Sequence, residues 1–164
     1  MIRTAPVLIR PFHPADTEGV AAVIVPIQRA EFGIPITYEE QPDLRAIADF
    51  YQTGSGGFWV AQRENGPIVG TIALKDIGDR TAALRKMFVA ADHRGDGTAR
   101  RLLDTLITHA RAARLMTILL GTTAAFLAAH RFYEKHGFSE IGAEALPASF
   151  PRIAVDTKFY RLQL

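Results

Sequence analysis

An α/β domain built on a mixed sheet is the fold class the sequence predicts, and three observations predict it. Phe58 to Arg63, Ile68 to Ile77 and Thr81 to Val89 are strand-like runs separated by turn signals, and read as an antiparallel meander. A glycine-bearing turn, His93 to Gly97, then joins the apolar run Leu84–Val89 to an amphipathic stretch from Thr98 to Arg114. Another apolar run, Thr117 to Thr122, follows. A right-handed crossover through the amphipathic stretch makes the strands at Leu84 and Thr117 parallel neighbours. An antiparallel meander followed by a parallel pair gives a mixed sheet with helices on its faces.

Each element has its own local signal. Val7 to Arg10 is a short strand ended by Pro11 and Pro14. Asp16 is placed to cap a helix running to Gln28, whose Val20, Val23, Ile24 and Ile27 share one face. Pro26 kinks or shortens it. Phe32 to Glu40 reads as a loop. Gln41-Pro42-Asp43 opens a second helix to Tyr51, with Leu44, Ile47 and Phe50 inward. Thr53 to Gly57 breaks it. Asn65-Gly66 and Gly78-Asp79 turn the meander.

Leu102, Leu103, Leu106, Ile107 and Ala110 form the buried stripe of the long helix. Thr117 to Thr122 reads as a central strand. Leu127 to His136 is a short helix closed by Gly137. Strands at Phe138 to Ile141 and Ile153 to Leu162 complete the chain.

Composition excludes several classes. With 164 residues, 48% apolar and 22% charged, the chain is sized for one globular domain. The net charge is +2 and the basic residues are scattered, so no nucleic-acid stripe is indicated. The absence of cysteine removes disulfides, thiolate metal sites and a cysteine acyl-enzyme. No H-E-x-x-H is present and His130 and His136 do not face each other, so no metal is expected. Ser55, Ser139 and Ser149 all lie outside a G-x-S-x-G, which argues against a serine hydrolase. No leader or membrane span is expected, and a cytoplasmic location is the default.

The stretch His93 to Leu103 carries the first chemical signal. Two glycines at a strand-to-helix junction leave N–H groups at a helix N-terminus, a ready site for phosphate. First turns favour anions, yet Arg94, Arg100 and Arg101 cluster here with only Asp96 opposing them. A bound polyanion would resolve that conflict; an ordinary glycine turn with solvated arginines is the plain alternative. The G-x-x-x-x-G-K-S/T loop is absent because no Lys follows Gly97. The G-x-G-x-x-G fingerprint is only half matched because Arg100 replaces its third glycine.

Arg94-Gly95-Asp96-Gly97-Thr98-Ala99 resembles the R/Q-x-x-G-x-G/A pyrophosphate loop of the GNAT superfamily of acyl-CoA N-acyltransferases. Ala129-His130-Arg131-Phe132-Tyr133-Glu134-Lys135-His136-Gly137-Phe138 is similar to that superfamily's A-x-x-F/L-Y-E-K-x-G-F motif. The resemblance implies a mostly antiparallel six- or seven-stranded sheet with about four helices, whose central strands splay to admit the pantetheine arm. It implies acetyl-CoA as acyl donor and a primary amine of a small molecule or peptide as acceptor. It leaves a homodimer open.

The implied donor site comprises Met87, Phe88 and Val89 on the strand, Arg94, Gly95, Asp96, Gly97, Thr98, Ala99 and Arg100 in the loop, and Phe126, Ala129, Phe132 and Tyr133 opposite. Phe126 stands where many members carry Asn, which leaves stacking in place of a polar contact. Tyr133 is the implied general acid, since a phenol with a pKa near 10 is protonated at neutral pH. Read alone, it is a tyrosine packing on an amphipathic helix.

The general base has no motif. Glu31, Glu39, Glu40 and Asp76 are the candidates, and a water chain is another. Glu31 is singled out because the C-terminal end of a helix disfavours an anion unless it is used. The acidic stretch from Glu31 to Asp43 favours a cationic acceptor, whereas Arg152 would receive a carboxylate. Two other readings stay open: a non-catalytic acyl-CoA sensor on the same fold and a nucleotide-binding module.

Overall fold

The computed structural model describes residues 6–124 and 126–164. Seven strands form one sheet in the order β1-β2-β3-β4-β5-β7-β6: β1 Val7–Pro11, β2 Gly57–Arg63, β3 Ile68–Asp76, β4 Thr81–Val89, β5 Thr117–Thr122, β6 Ser139–Ile141 and β7 Lys158–Gln163. Every pairing is antiparallel except β4 with β5. The meander, the crossover and the mixed sheet therefore follow the sequence pattern.

Helices cover both faces. α1 (Thr17–Pro26), α2 (Pro42–Arg45) and α3 (Ile47–Tyr51) pack on one face around Val20, Ile24, Leu44, Tyr51, Phe58 and Val60. α4 (Thr98–Ala112) and α5 (Leu127–Lys135) cover the other, around Leu102, Leu103, Leu106, Ile72 and Ile118. The predicted stripe of α4 is buried as drawn, with Ile107 at its edge. Each such side chain taken fully out of water contributes about 1.5–3 kcal/mol.

Three local expectations are corrected, and the expected shortening of the first helix at Pro26 is met. Asp16 stands at the N-cap position of α1 but makes no side-chain cap bond there; its carboxylate takes two 2.8 Å bonds from Arg10, and with His13 it caps a short 3-10 turn. α1 ends at Pro26, which has no N–H to give, and the chain widens into a π turn over Ile27–Glu31. The predicted second helix is broken at Ala46 (φ −146°, ψ 50°) into α2 and α3. Eight residues of unbroken helix would hold Asp43 and Tyr51 about 12 Å apart along the axis; the break lets the Tyr51 hydroxyl donate to Asp43 at 2.6 Å. Finally, Ile153 to Thr157 is a loop, and β7 begins only at Lys158. There the Asp156 carboxylate accepts from the Ile153 N–H, a local turn that competes with strand pairing.

The sheet is split at its centre. β4 and β5 pair at only three positions, Thr81 with Thr117, Ala82 with Ile118 and Ala83 with Leu119. From Leu84 to Val89 the edge of β4 that faces β5 has no strand partner. A β-bulge accompanies the split: Thr71 pairs with Phe88 and Ala73 with Arg85, so Lys86 and Met87 together oppose Ile72. Lys86 takes φ 53°, and its carbonyl accepts from the Thr71 hydroxyl at 2.7 Å.

Candidate active site

The phosphate loop is built around two glycines and a His93–Asp96 pair whose imidazole is buried. Gly95 and Gly97 hold φ 84° and 92°, the left-handed region, and a Cβ at either would meet nothing within 4 Å. The space above the loop is therefore open. Among the described residues, the N–H groups of Gly95, Asp96, Gly97, Ala99 and Arg100 donate to no protein acceptor. The Asp96 carboxylate takes the Thr98 N–H at 3.0 Å with one oxygen and meets the fully buried His93 ring at 2.8 Å with the other. These bonds hold the Asp96 carboxyl below the ordinary carboxylate range against its partial burial. An anchored loop with outward N–H donors at the start of a fifteen-residue helix fits a pyrophosphate.

Glu31 is placed by the π turn, at the end of the first helix. Its carboxylate is engaged by both terminal nitrogens of Arg94, one of them at 2.8 Å, while Arg94 Nε donates to the Val89 carbonyl at 2.9 Å. Arg94 in turn holds the Glu31 carboxyl below its ordinary range. Phe32, the next residue, lies against Phe126 with ring centroids 4.4 Å apart. The end of the first helix therefore touches both arms of the split, the phosphate loop through Arg94 and the start of α5 through Phe126.

Tyr133 reaches the core from α5. Its ring packs on Phe132, Phe138 and Tyr160, and burial pushes its hydroxyl well above the usual phenol range. It is held protonated. Ala129 and Phe132 are half-buried beside it, with Met87 at the edge of the same cluster. Phe88 faces the opposite cluster and Val89 is buried.

The other carboxylates considered as bases are accounted for. Glu40 accepts from the Thr37 N–H and hydroxyl. Asp76 sits at the β3–β4 hairpin, one strand removed from the split. It takes the Gly78 and Ser55 N–H groups, which lower its pKa. Glu39 is exposed.

The face that carries α1–α3 holds a second polar cluster, which sequence reasoning missed. Regular alternation would send Arg85 and Lys86 to opposite faces. The bulge sends both to this one, where Asp43 lies 3.4 Å from Lys86 Nζ and 4.0 Å from the Arg85 guanidinium. Lys86 also donates to Gln41 at 2.7 Å, and Gln41 and Gln28 exchange bonds behind it. Burial lowers the Lys86 pKa, opposed by Asp43.

Across the split, the Asp156 carboxylate occupies the place of a side chain on Gly121: a Cβ there would lie 2.6 Å from its oxygen. Asp156 is 9% exposed, and its pKa is raised by burial against the opposing pull of its Ile153 hydrogen bond, Arg85 and Arg152. Arg152 is exposed, its guanidinium 5.1 Å from the centre of the Phe159 ring.

Among the described residues no cluster of His, Asp and Glu is arranged to hold a metal ion, and no helix is long and apolar enough to cross a membrane.

Comparison with known proteins matches this geometry. Residues 23–138 match the model of the Acetyltransferase (GNAT) family. An acetyltransferase of the GNAT family from Staphylococcus aureus Mu50 superposes with a TM-score of 0.93 at 36% identity, covering 96% of this chain and 99% of that one. An acetyltransferase from Streptococcus agalactiae gives 0.89 at 31% identity, over 96% and 98%. N-acetylaspartate synthetase of Homo sapiens is 35% identical over 133 residues, 74% of this chain and 44% of that protein. The Xenopus tropicalis counterpart is 37% identical over 102 residues, 61% of this chain and 37% of that protein. The chain thus spans less than half the length of these curated relatives. The split sheet, the anchored glycine loop and these matches agree: the chain belongs to the GNAT acetyltransferase family.

Proposed function

We propose that the protein transfers an acetyl group from acetyl-CoA directly to a primary amine. The observation that carries this reading is the parting of β4 from β5 beyond Ala83 and Leu119, with the open N–H groups of the glycine loop at its mouth. The split gives the pantetheine arm a slot, and the loop gives the pyrophosphate its donors. Phe126, Ala129 and Phe132 supply the apolar wall. Neisseria gonorrhoeae N-acetylglutamate synthase, crystallised with coenzyme A and N-acetylglutamate, has the same fold at a TM-score of 0.75 and 20% identity.

Acetyl-CoA supplies an activated thioester, and the protein's residues do the rest. Unpaired N–H groups on the β4 edge, near the bulge, polarise the carbonyl as preorganised donors. The amine nitrogen bonds to the carbonyl carbon and the C–S bond breaks. The Tyr133 hydroxyl, which burial keeps protonated, gives its proton to the departing sulfur. Glu31 acts on the donor side by holding Arg94, and the amine's proton leaves by another route.

The test is a screen of amines with acetyl-CoA, read as free thiol. Amine-dependent thiol release is the expected result. Binding of coenzyme A without thiol release for any amine would make the protein an acyl-CoA sensor, and affinity for ATP in place of coenzyme A would make it a nucleotide module.

A further inference from the structure

The charge on the acceptor face has the opposite sign to the one the acidic stretch suggests. Of that stretch, Glu31 is tied to Arg94 and Glu40 to Thr37, and Asp43 is buried between Tyr51, Lys86 and Arg85. Where the strands part, the groups are Arg85, Lys86 and Arg152 against Asp43 and Asp156. One positive charge is left over. Asp43 and Gln41 already occupy Lys86 and hold it in place. Arg85 is farther from Asp43, at 4.0 Å and outside hydrogen-bond reach, and Arg152 has no acidic partner within ion-pair distance among the described residues. Arg85 lies two residues beyond Ala83, the last β4 residue paired with β5, and Gly121 lies two beyond Ala83's partner Leu119. The Arg85 guanidinium and the Asp156 carboxylate above Gly121 therefore flank the split from its two sides.

We propose that this face binds a carboxylate-bearing amine, an amino acid, with Arg85 and Arg152 receiving its carboxylate and Asp156 its ammonium group. This rests on the acetyl-transfer reading. The guanidinium fork matches a carboxylate with two parallel N–H donors. Asp156 is the only one of the face's two carboxylates not already engaged by a lysine and a tyrosine. It takes one ammonium proton, leaving the lone pair free to attack. After the carbon–nitrogen bond forms, sulfur receives the Tyr133 proton, the second amine proton returns through solvent to the Tyr133 phenolate, and Asp156 releases the first to solvent. Acetyl-CoA and an ammonium thus give an amide, a free thiol and one released proton. The charged groups facing Asp156 are Arg85 from β4 and Arg152 from its own loop.

The experiment compares free amino acids, including those with acidic side chains, with their carboxamides, their decarboxylated amines and a polyamine, using acetyl-CoA and thiol release. Free amino acids should exceed the matched carboxamides and decarboxylated amines by at least about tenfold in kcat/KM, since bonds to a charged group contribute about 1.5–3 kcal/mol. Arg152→Gln, at an exposed position, should raise KM for the amino acid about tenfold and leave KM for acetyl-CoA unchanged. Asp156→Asn should lower kcat and remove the acidic limb of the kcat/KM–pH profile, with the melting temperature checked alongside. Equal or better turnover of polyamine or carboxamide overturns this inference and leaves acetyl transfer standing, as does an unchanged amino-acid KM in Arg152→Gln. Thiol release with no amine at all overturns both.

Discussion

The two halves of the split differ in how the chain builds them. The donor half is local: Arg94 to Arg101 form one continuous turn, and its glycines, its acidic cap and its helix start lie within eight residues. The acceptor half is assembled from Asp43, Arg85, Lys86, Arg152 and Asp156, which come from a broken helix, a bulge and a loop. The donor half presents backbone N–H groups, held by the glycine turn and the Asp96 side chain. The acceptor half presents side-chain charges, which single substitutions can change.

The sharpest way to break this comparison is at the proposed proton donor. Tyr133→Phe keeps the ring packing on Phe138 and Tyr160 and removes the hydroxyl alone. The chemical step should slow by about 10²–10⁴-fold, with coenzyme A affinity barely changed. Single-turnover stopped flow is the measurement, because slow product release masks losses in steady state. An acyl donor whose thiol has a lower pKa should shrink the defect.

Asp43→Ala attacks the acceptor half alone. It strips Tyr51 of its acceptor and leaves Lys86 buried with Gln41 as its remaining partner. Breaking a buried charge pair costs about 3–5 kcal/mol, so the urea midpoint should fall sharply. The coenzyme A affinity of the folded fraction should be preserved.

Gly97→Val attacks the donor half alone. A β-branched residue at φ 92° costs about 1–3 kcal/mol, and its side chain projects into the open space above the loop. Coenzyme A should cease to raise the melting temperature, while the charges of the acceptor face stay in place.

The smallest effect is expected at Glu31. Its pair with Arg94 is part-exposed, so screening limits it to about 0.2–1 kcal/mol. Glu31→Gln should weaken coenzyme A binding by no more than about fivefold, read by calorimetry. Because Arg94 lowers the Glu31 pKa, the tie is complete above the ordinary carboxylate range and is lost as pH falls through the lowered value. Wild-type affinity should therefore drop at acid pH more than that of Glu31→Gln.

The same contrast explains what the sequence reveals. The strands of the meander, the crossover helix and the donor loop are encoded in runs of neighbouring residues, and the structure places them where the pattern does. The acceptor face depends on events that leave little local trace. Nothing in Leu84-Arg85-Lys86-Met87 announces that Lys86 adopts φ 53° and turns two consecutive cations to one side. Ala46, a strong helix former, breaks a helix so that Asp43 and Tyr51 can meet. Ile153 to Thr157 carries β-branched residues, yet the Asp156 turn overrides them. Glu31 stood out because an anion at a helix end needs a partner, and that partner, Arg94, lies 63 residues away.

Coenzyme A binding at the loop is the central claim, and thermal unfolding tests it most directly. A ligand at one hundred times its Kd stabilises the native state by about 2.7 kcal/mol. Coenzyme A should raise the melting temperature of the protein by several degrees, with dephosphorylated pantetheine doing much less and ATP leaving it unchanged. A shift with ATP and none with coenzyme A would contradict the account.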